Sequence, residues 1–363
     1  MIIGQPELFQ INIDRQESLP WSKLPIIESI EVEGYDLAVT PVFSAYWYFA
    51  TERQKIFKKR IAGANSSVFT EDPILSTYRF TNAYRASDRV SQYLISQVIY
   101  RDDLPSDDTN IFFRIMLFKL FNKIETWVAL EGEFGPLTFE DFSFEAADKF
   151  LSGRQDEGIR NYSAAYIMPS AGRVFGYRRK HSNHLQLLRW MIDEKFHNKL
   201  SNSSSMESSY ELLLSAPSIG PFLAFQFTTD LNYSPLINFS EMEFVVAGPG
   251  AIDGISKCFK DTKSLSHSSI IRHMAENQHR YFEELTLHFD DLWGRPLQLI
   301  DCQNLFCEIS KYSRVSHPDV PGVSGRTRIK QKFTPASRPQ LPWYPPDWNV
   351  NDKISGEQFR QSA

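Results

Sequence analysis

The stretch Ile111–Leu130, IFFRIMLFKLFNKIETWVAL, is the strongest apolar run in the chain and limits its fold more than any other segment. Arg114, Lys119, Lys123 and Glu125 interrupt the run, and that many charges argue against a membrane span. It therefore reads as a helix buried in a protein core, ended by Gly132, Gly135 and Pro136. Helical spacing recurs over Ala45–Arg60, over Ile74–Tyr100 behind an Asp72-Pro73 start, over Thr138–Ser152 and over Leu185–Leu200. Trp21–Val42 mixes short apolar runs with Pro and Gly, which suits loops and one short strand. The expected fold class is mainly α, with few or no strands.

A chain of 363 residues corresponds to about two domains or one large one. The expected organisation is an irregular segment 1–44, a helical domain 45–200, a second helical domain 210–315 packed on it, and a basic tail 316–363 with seven of the 20 prolines. A net charge of −5 argues against coating nucleic acid or membrane through bulk charge. Local basic patches remain: Arg53, Lys55, Lys58, Lys59 and Arg60, the segment Arg173–His181, and Lys311–Lys332 with six cationic residues against Asp319. Cys258, Cys302 and Cys307 form no C-x-x-C pair, and Met1–Gln10 has no basic leader before an apolar core, so a cytoplasmic protein is expected. Aromatics at 14% suit a large core and equally a pocket that stacks planar ligands.

The segment Leu212–Phe259 carries the chemistry. A helix end at Leu212–Leu214 meets a tight turn, Ala216-Pro217-Ser218-Ile219-Gly220, and an apolar helix follows over Pro221–Leu231. A hairpin at a helix N-terminus exposes backbone N–H groups that can hold a DNA phosphate, here through Ile219, Gly220 and Phe222; an ordinary interhelical turn is the alternative. The pattern resembles the helix-hairpin-helix element of DNA glycosylases, with Ser218 in place of the middle glycine. In those enzymes a catalytic acid follows the last hairpin glycine by roughly 20 positions, which points to Glu243 at the start of an apolar helix Glu243–Val246, and to Glu241. Ser240–Glu243 also reads as a capping box. Asp230 is a third candidate acid, either a solvated helix end or a pocket residue. The bifunctional lysine position is occupied by Phe222, which implies a monofunctional enzyme. Gly248 and Gly250 form a second turn before a helix Ile252–Phe259, either for packing or as another phosphate clamp.

Further motifs run in order along the chain. Tyr78-Arg79-Phe80-Thr81-Asn82-Ala83-Tyr84-Arg85 with Asp88-Arg89-Val90 resembles the helical domain attached to phage 5-hydroxymethyluracil DNA kinases. With Asp230–Tyr233, Ala247–Ala251, Asp301–Glu308, Lys311-Tyr312 and Gly325–Arg328, the chain resembles the α-glutamyl/putrescinyl thymine pyrophosphorylase family over roughly residues 40–335. That resemblance implies a glycosylase-like fold and a DNA glycosylase that excises a hydroxymethylated or glucosylated hydroxymethylated pyrimidine of phage DNA in antiphage defence, leaving an abasic site. Two alternatives are a hypermodification transferase on hydroxymethyluracil DNA and a non-catalytic reader of modified DNA.

Tyr78, Arg79, Asn82 and Arg85 would share one side of a helix, and Asn304 and Glu308 would share another with Asp301 and Lys311, as base-binding residues or as a structural polar network. Arg326, Arg328 and Lys330 would contact DNA phosphates. His181 and His184 lack further ligands at metal spacing and read as surface histidines, so no metal is expected. The sequence holds neither a Walker A segment nor G-x-G-x-x-G, so neither a P-loop kinase nor a dinucleotide enzyme is expected, and no cofactor. The expected partner is double-stranded DNA carrying modified bases, with no membrane and no obligate protein partner.

Overall fold

In the computed structural model, residues 20–63, 69–163, 168–334 and 341–354 are described. Two short strands open it, β1 (Ser29–Val32) and β2 (Tyr35–Ala38), paired antiparallel with Ser29 opposite Ala38. Glu33 and Gly34 both take positive φ, the two-residue turn whose twist matches a hairpin. The sequence suggests one strand here; a second pairs with it.

Helices follow: α1 (Pro41–Ile61), α2 (Pro73–Thr77), α3 (Arg89–Tyr93), α4 (Asp108–Phe121), α5 (Ile124–Phe134), α6 (Phe144–Asp156), α7 (Gly172–Phe175) and α8 (Lys180–Asp193). Then come α9 (Phe196–Ser201), α10 (Met206–Leu214), α11 (Pro221–Leu231), α12 (Pro249–Cys258), α13 (His267–Glu276), α14 (Gln278–Glu284) and α15 (Leu299–Ser316). The fold is mainly α, and no described helix is long and apolar enough to cross a membrane.

The apolar run 111–130 is two helices, because Asn122 takes the left-handed conformation (φ 49°) and its side-chain oxygen accepts from Lys119. Lys195 (φ 60°) splits the expected helix 185–200 in the same way, and α6 begins only at Phe144, capped by Ser143. The charges inside the apolar run have partners: Arg114 donates to the Val98 carbonyl at the end of a π-helical turn, Leu94–Ile99, and to the Pro105 carbonyl beyond it.

Helix α12 lies against α15 with almost no side chain between them. A Cβ on Gly254 would sit 2.0 Å from the Phe306 carbonyl oxygen, and one on Gly250 would sit 3.0 Å from Cys307 Sγ. Gly254→Ala therefore forces the helices apart and costs about 1–3 kcal/mol or more. A lower urea midpoint is the expected reading, and an unchanged one would show that the contact yields freely. Helix α1 packs across both members of this pair, while α4 packs against α8, α9 and α11. The buried apolar residues form one continuous cluster from Trp21 to Ile354.

The last described segment, 341–354, has little regular structure, as its prolines suggest, yet it is seated in the core. Tyr344, Val350 and Ile354 are buried, Trp343 N–H donates to Gln92, and the Tyr344 and Ser87 hydroxyls share a 2.7 Å hydrogen bond.

Candidate functional site

Tyr78–Tyr84 is not part of a helix, contrary to the spacing of its residues. Tyr78 is extended (φ −113°, ψ 153°) and pairs with Lys332 of the tail; the Arg79 N–H donates to Gln331 and the Phe333 N–H to Thr77. Three further amides are claimed by carboxylates, two of them distant in sequence. Thr81 N–H donates to Glu308 (3.0 Å), Asn82 N–H to Asp88 (2.8 Å) and Arg85 N–H to Asp301 (2.7 Å). Buried donors need partners, and here they find them outside any helix. A single 3-10 turn, Arg85–Ser87, then reverses the chain.

This segment is pinned from both sides. Arg53 of α1 donates to the Thr81 carbonyl (2.8 Å) and to the Asn82 side chain (3.0 Å), whose amide donates to Ser87. Glu308 also pairs with Lys311 (2.8 Å), whose ammonium stands 4.6 Å from the centre of the Phe80 ring. Asn304 is half-buried one turn before Glu308 on α15, and Tyr78 and Asn82 are half-buried too, while Arg79 is exposed. Burial pushes the Asp88 carboxyl up to about 7, against the pull of the Asn82 N–H. Asp301 also rises to about 7, through burial and the nearby Glu241 charge.

Inward, the Arg85 side chain meets Asp230. Its guanidinium lies 2.8 Å from Asp230 Oδ1 and donates to Gln226 (3.1 Å) and the Tyr233 hydroxyl (3.2 Å). Lys119 of α4 reaches Asp230 Oδ2 at 3.0 Å. All three charged groups are buried. Burial pulls the Lys119 ammonium below its ordinary range, and Asp230 opposes that shift. Tyr233 packs edge-on to Trp348 (5.7 Å), and Trp348 covers Arg295 at 3.9 Å. Arg295 in turn pairs with buried Glu241. The result is a low-dielectric set of fixed donors and acceptors that satisfy one another behind an aromatic wall.

Of the three candidate acids, Asp230 and Glu241 are therefore engaged with cations, and Glu243 is elsewhere. Glu243 is exposed on a loop, and no helix begins there. The carbonyls of Met242, Glu243 and Val245 accept from Arg272 and Ser268 of α13, so they are taken by side chains. The turn at Ser240 forms, but the capping box has no helix to cap.

At the hairpin, α10 and α11 flank a turn in which Ser218 takes positive φ (64°), the conformation glycine favours. Ile219 is buried and Gly220 caps α11 in extended geometry. Phe222 is half-buried against Gly248, where a Cβ would lie 2.8 Å from its ring. Gly248 and Gly250 thus serve close packing of α12. Arg326, Arg328 and Lys330 are on the tail that pairs with Tyr78, and all three are exposed. His181 and His184 are buried, not on the surface: His181 bonds Ser152, and His184 bonds Tyr162 and the Pro169 carbonyl. Among the described residues no group of three His, Cys, Asp or Glu side chains could hold a metal.

Lys119 and Gln226 do not stand out in the sequence as site residues. Gln226 and Asp230 lie one helical turn apart in an otherwise apolar helix, and Lys119 interrupts an apolar run, so each needs a buried partner. Those two facts are the signal that could have found them.

Residues 40–322 match the family model described as the 5-hmdU DNA kinase, helical domain. A 5-hmdU DNA kinase of Bacillus phage SP10 is 27% identical over 286 residues, covering 75% of this chain and 45% of the relative. The chain thus spans less than half the length of that relative. No solved structure matches. The expectation of a monofunctional N-glycosylase is corrected here: the named relative is a kinase, a transferase, not a hydrolase.

Proposed function

Since the chain belongs to the family of the 5-hmdU DNA kinase helical domain, over residues 40–322, we propose that it is a DNA base-modifying enzyme of the transferase type, acting on hydroxymethyluracil in DNA. The family match carries this reading. It is supported by the segment 78–88, which joins the buried Arg85–Asp230–Lys119 network to exposed Arg79 and half-buried Asn82, near half-buried Lys311, whose partner Glu308 also accepts from the Thr81 N–H. In this reading the base leaves the stack and lies against the 78–88 segment, with polar side chains on its edge. Arg326, Arg328 and Lys330 hold the flanking phosphates.

The test is incubation of the purified chain with hydroxymethyluracil duplex, the same duplex phosphorylated on its hydroxymethyl groups, and thymine duplex, with ATP and free amines supplied. Selective binding of a modified duplex and a changed mass of the modified base, without abasic sites, are expected. Equal affinity for all three with unchanged base masses would sink the reading.

A further inference from the structure

The basic residues of the tail would be of little use to DNA if they hung from a mobile loop, since ordering them would consume binding energy. Three anchors hold the loop in place. At 331–333 it pairs with Thr77–Arg79, and at Arg328 its carbonyl accepts from Arg314 (3.1 Å). The third anchor is Asp253 of α12, fully buried beneath the loop. Its Oδ1 accepts from the Ser324 N–H (2.6 Å), and its Oδ2 accepts from the Ser310 hydroxyl of α15. Ser256, close by on the same helix, accepts from the Val323 N–H at 3.3 Å. The loop lies so close that a Cβ on Gly322 would fall 2.3 Å from Asp253 Oδ1 and 2.8 Å from Lys257 Cε.

We infer that Asp253 is a positioning residue for DNA: its carboxylate fixes the Gly322–Gly325 loop and so sets where Arg326, Arg328 and Lys330 meet the phosphates. The inference rests on the proposed DNA substrate. The charge of Asp253 makes it discriminating, because an acid beside a phosphate-binding strip weakens binding electrostatically. Electrostatics alone therefore predicts tighter binding when the acid is removed, and positioning predicts weaker binding.

The experiment measures affinity for hydroxymethyluracil duplex by anisotropy over a salt series, together with hydrogen exchange of residues 322–330. Asp253→Ala is expected to bind about tenfold more weakly through lost preorganisation. Its salt slope stays unchanged, because every cation is still present. Exchange in the loop rises. Asp253→Asn keeps an acceptor for the Ser324 N–H and is expected to bind as the unaltered chain does. Gly322→Ala, which displaces the loop but leaves the Asp253 charge in place beside the buried Lys257, is expected to reproduce the loss, so a folding defect of Asp253→Ala cannot imitate the result. Asp253→Ala and Gly322→Ala binding as tightly as the unaltered chain, or more tightly, overturns the inference while leaving the DNA reading standing. An unaltered chain that binds no duplex overturns both.

Discussion

Asp230→Ala is expected to cost about 3–5 kcal/mol, because it strands the Arg85 guanidinium and the Lys119 ammonium in the core without their shared counter-charge. A domain holds only about 5–15 kcal/mol in total, so the variant should unfold at a much lower urea concentration or fail to accumulate folded. A companion isolates the cause. Asp230→Ala with Lys119→Met removes one of the two stranded cations and should recover part of the loss, whereas two independent packing defects would add. A single variant with the unaltered midpoint would show that the pairing contributes nothing. The same substitution should slacken the 78–88 segment, since the Arg85 side chain, held by Asp230, is an inward anchor of that segment.

Replacing Arg326, Arg328 and Lys330 together with alanine is expected to flatten the dependence of log affinity on log salt by up to about 2.7, at ~0.9 for each phosphate no longer neutralised. Stability should change by less than about 0.5 kcal/mol, because none of the three side chains is buried. Preference for modified over unmodified duplex should persist, since phosphate contacts carry no base information. An unchanged slope would remove the tail from the DNA interface, and a lost preference would place base recognition in the tail.

The helices are legible wherever local chemistry fixes them. Asp72-Pro73 caps α2 as its sequence suggests, Gly135 closes α5, and Pro221 opens α11 behind Gly220. The segment 78–84 reads as helical because its apolar and polar residues recur at helical intervals, while its amides in fact bond Glu308, Asp88 and the tail. Periodicity has no view of partners more than 200 residues away. Glu243 misleads for a related reason: its S-x-x-E pattern is real, but Arg272 takes the carbonyls that a helix would need. For the site, the motif residues Arg85, Asp230, Asn82 and Glu308 are readable as types. Their division into an inward ion network and an outward polar surface needs the third dimension.

The seating of the tail in the core has a kinetic consequence. Ser87 bonds Tyr344 across 257 residues, Tyr46 bonds the Cys302 carbonyl across 256, and Tyr312 bonds Asp72 across 240. Closing such loops is entropically slow, and folding rates fall as native contacts become more distant in sequence. During synthesis the first half of the chain leaves the ribosome with α1 and the 78–88 segment lacking the surfaces they are built to meet. Its apolar faces wait for α15 and the 341–354 strap, which emerge later, so nascent chains of this protein are expected to depend on protection from aggregation until that strap arrives.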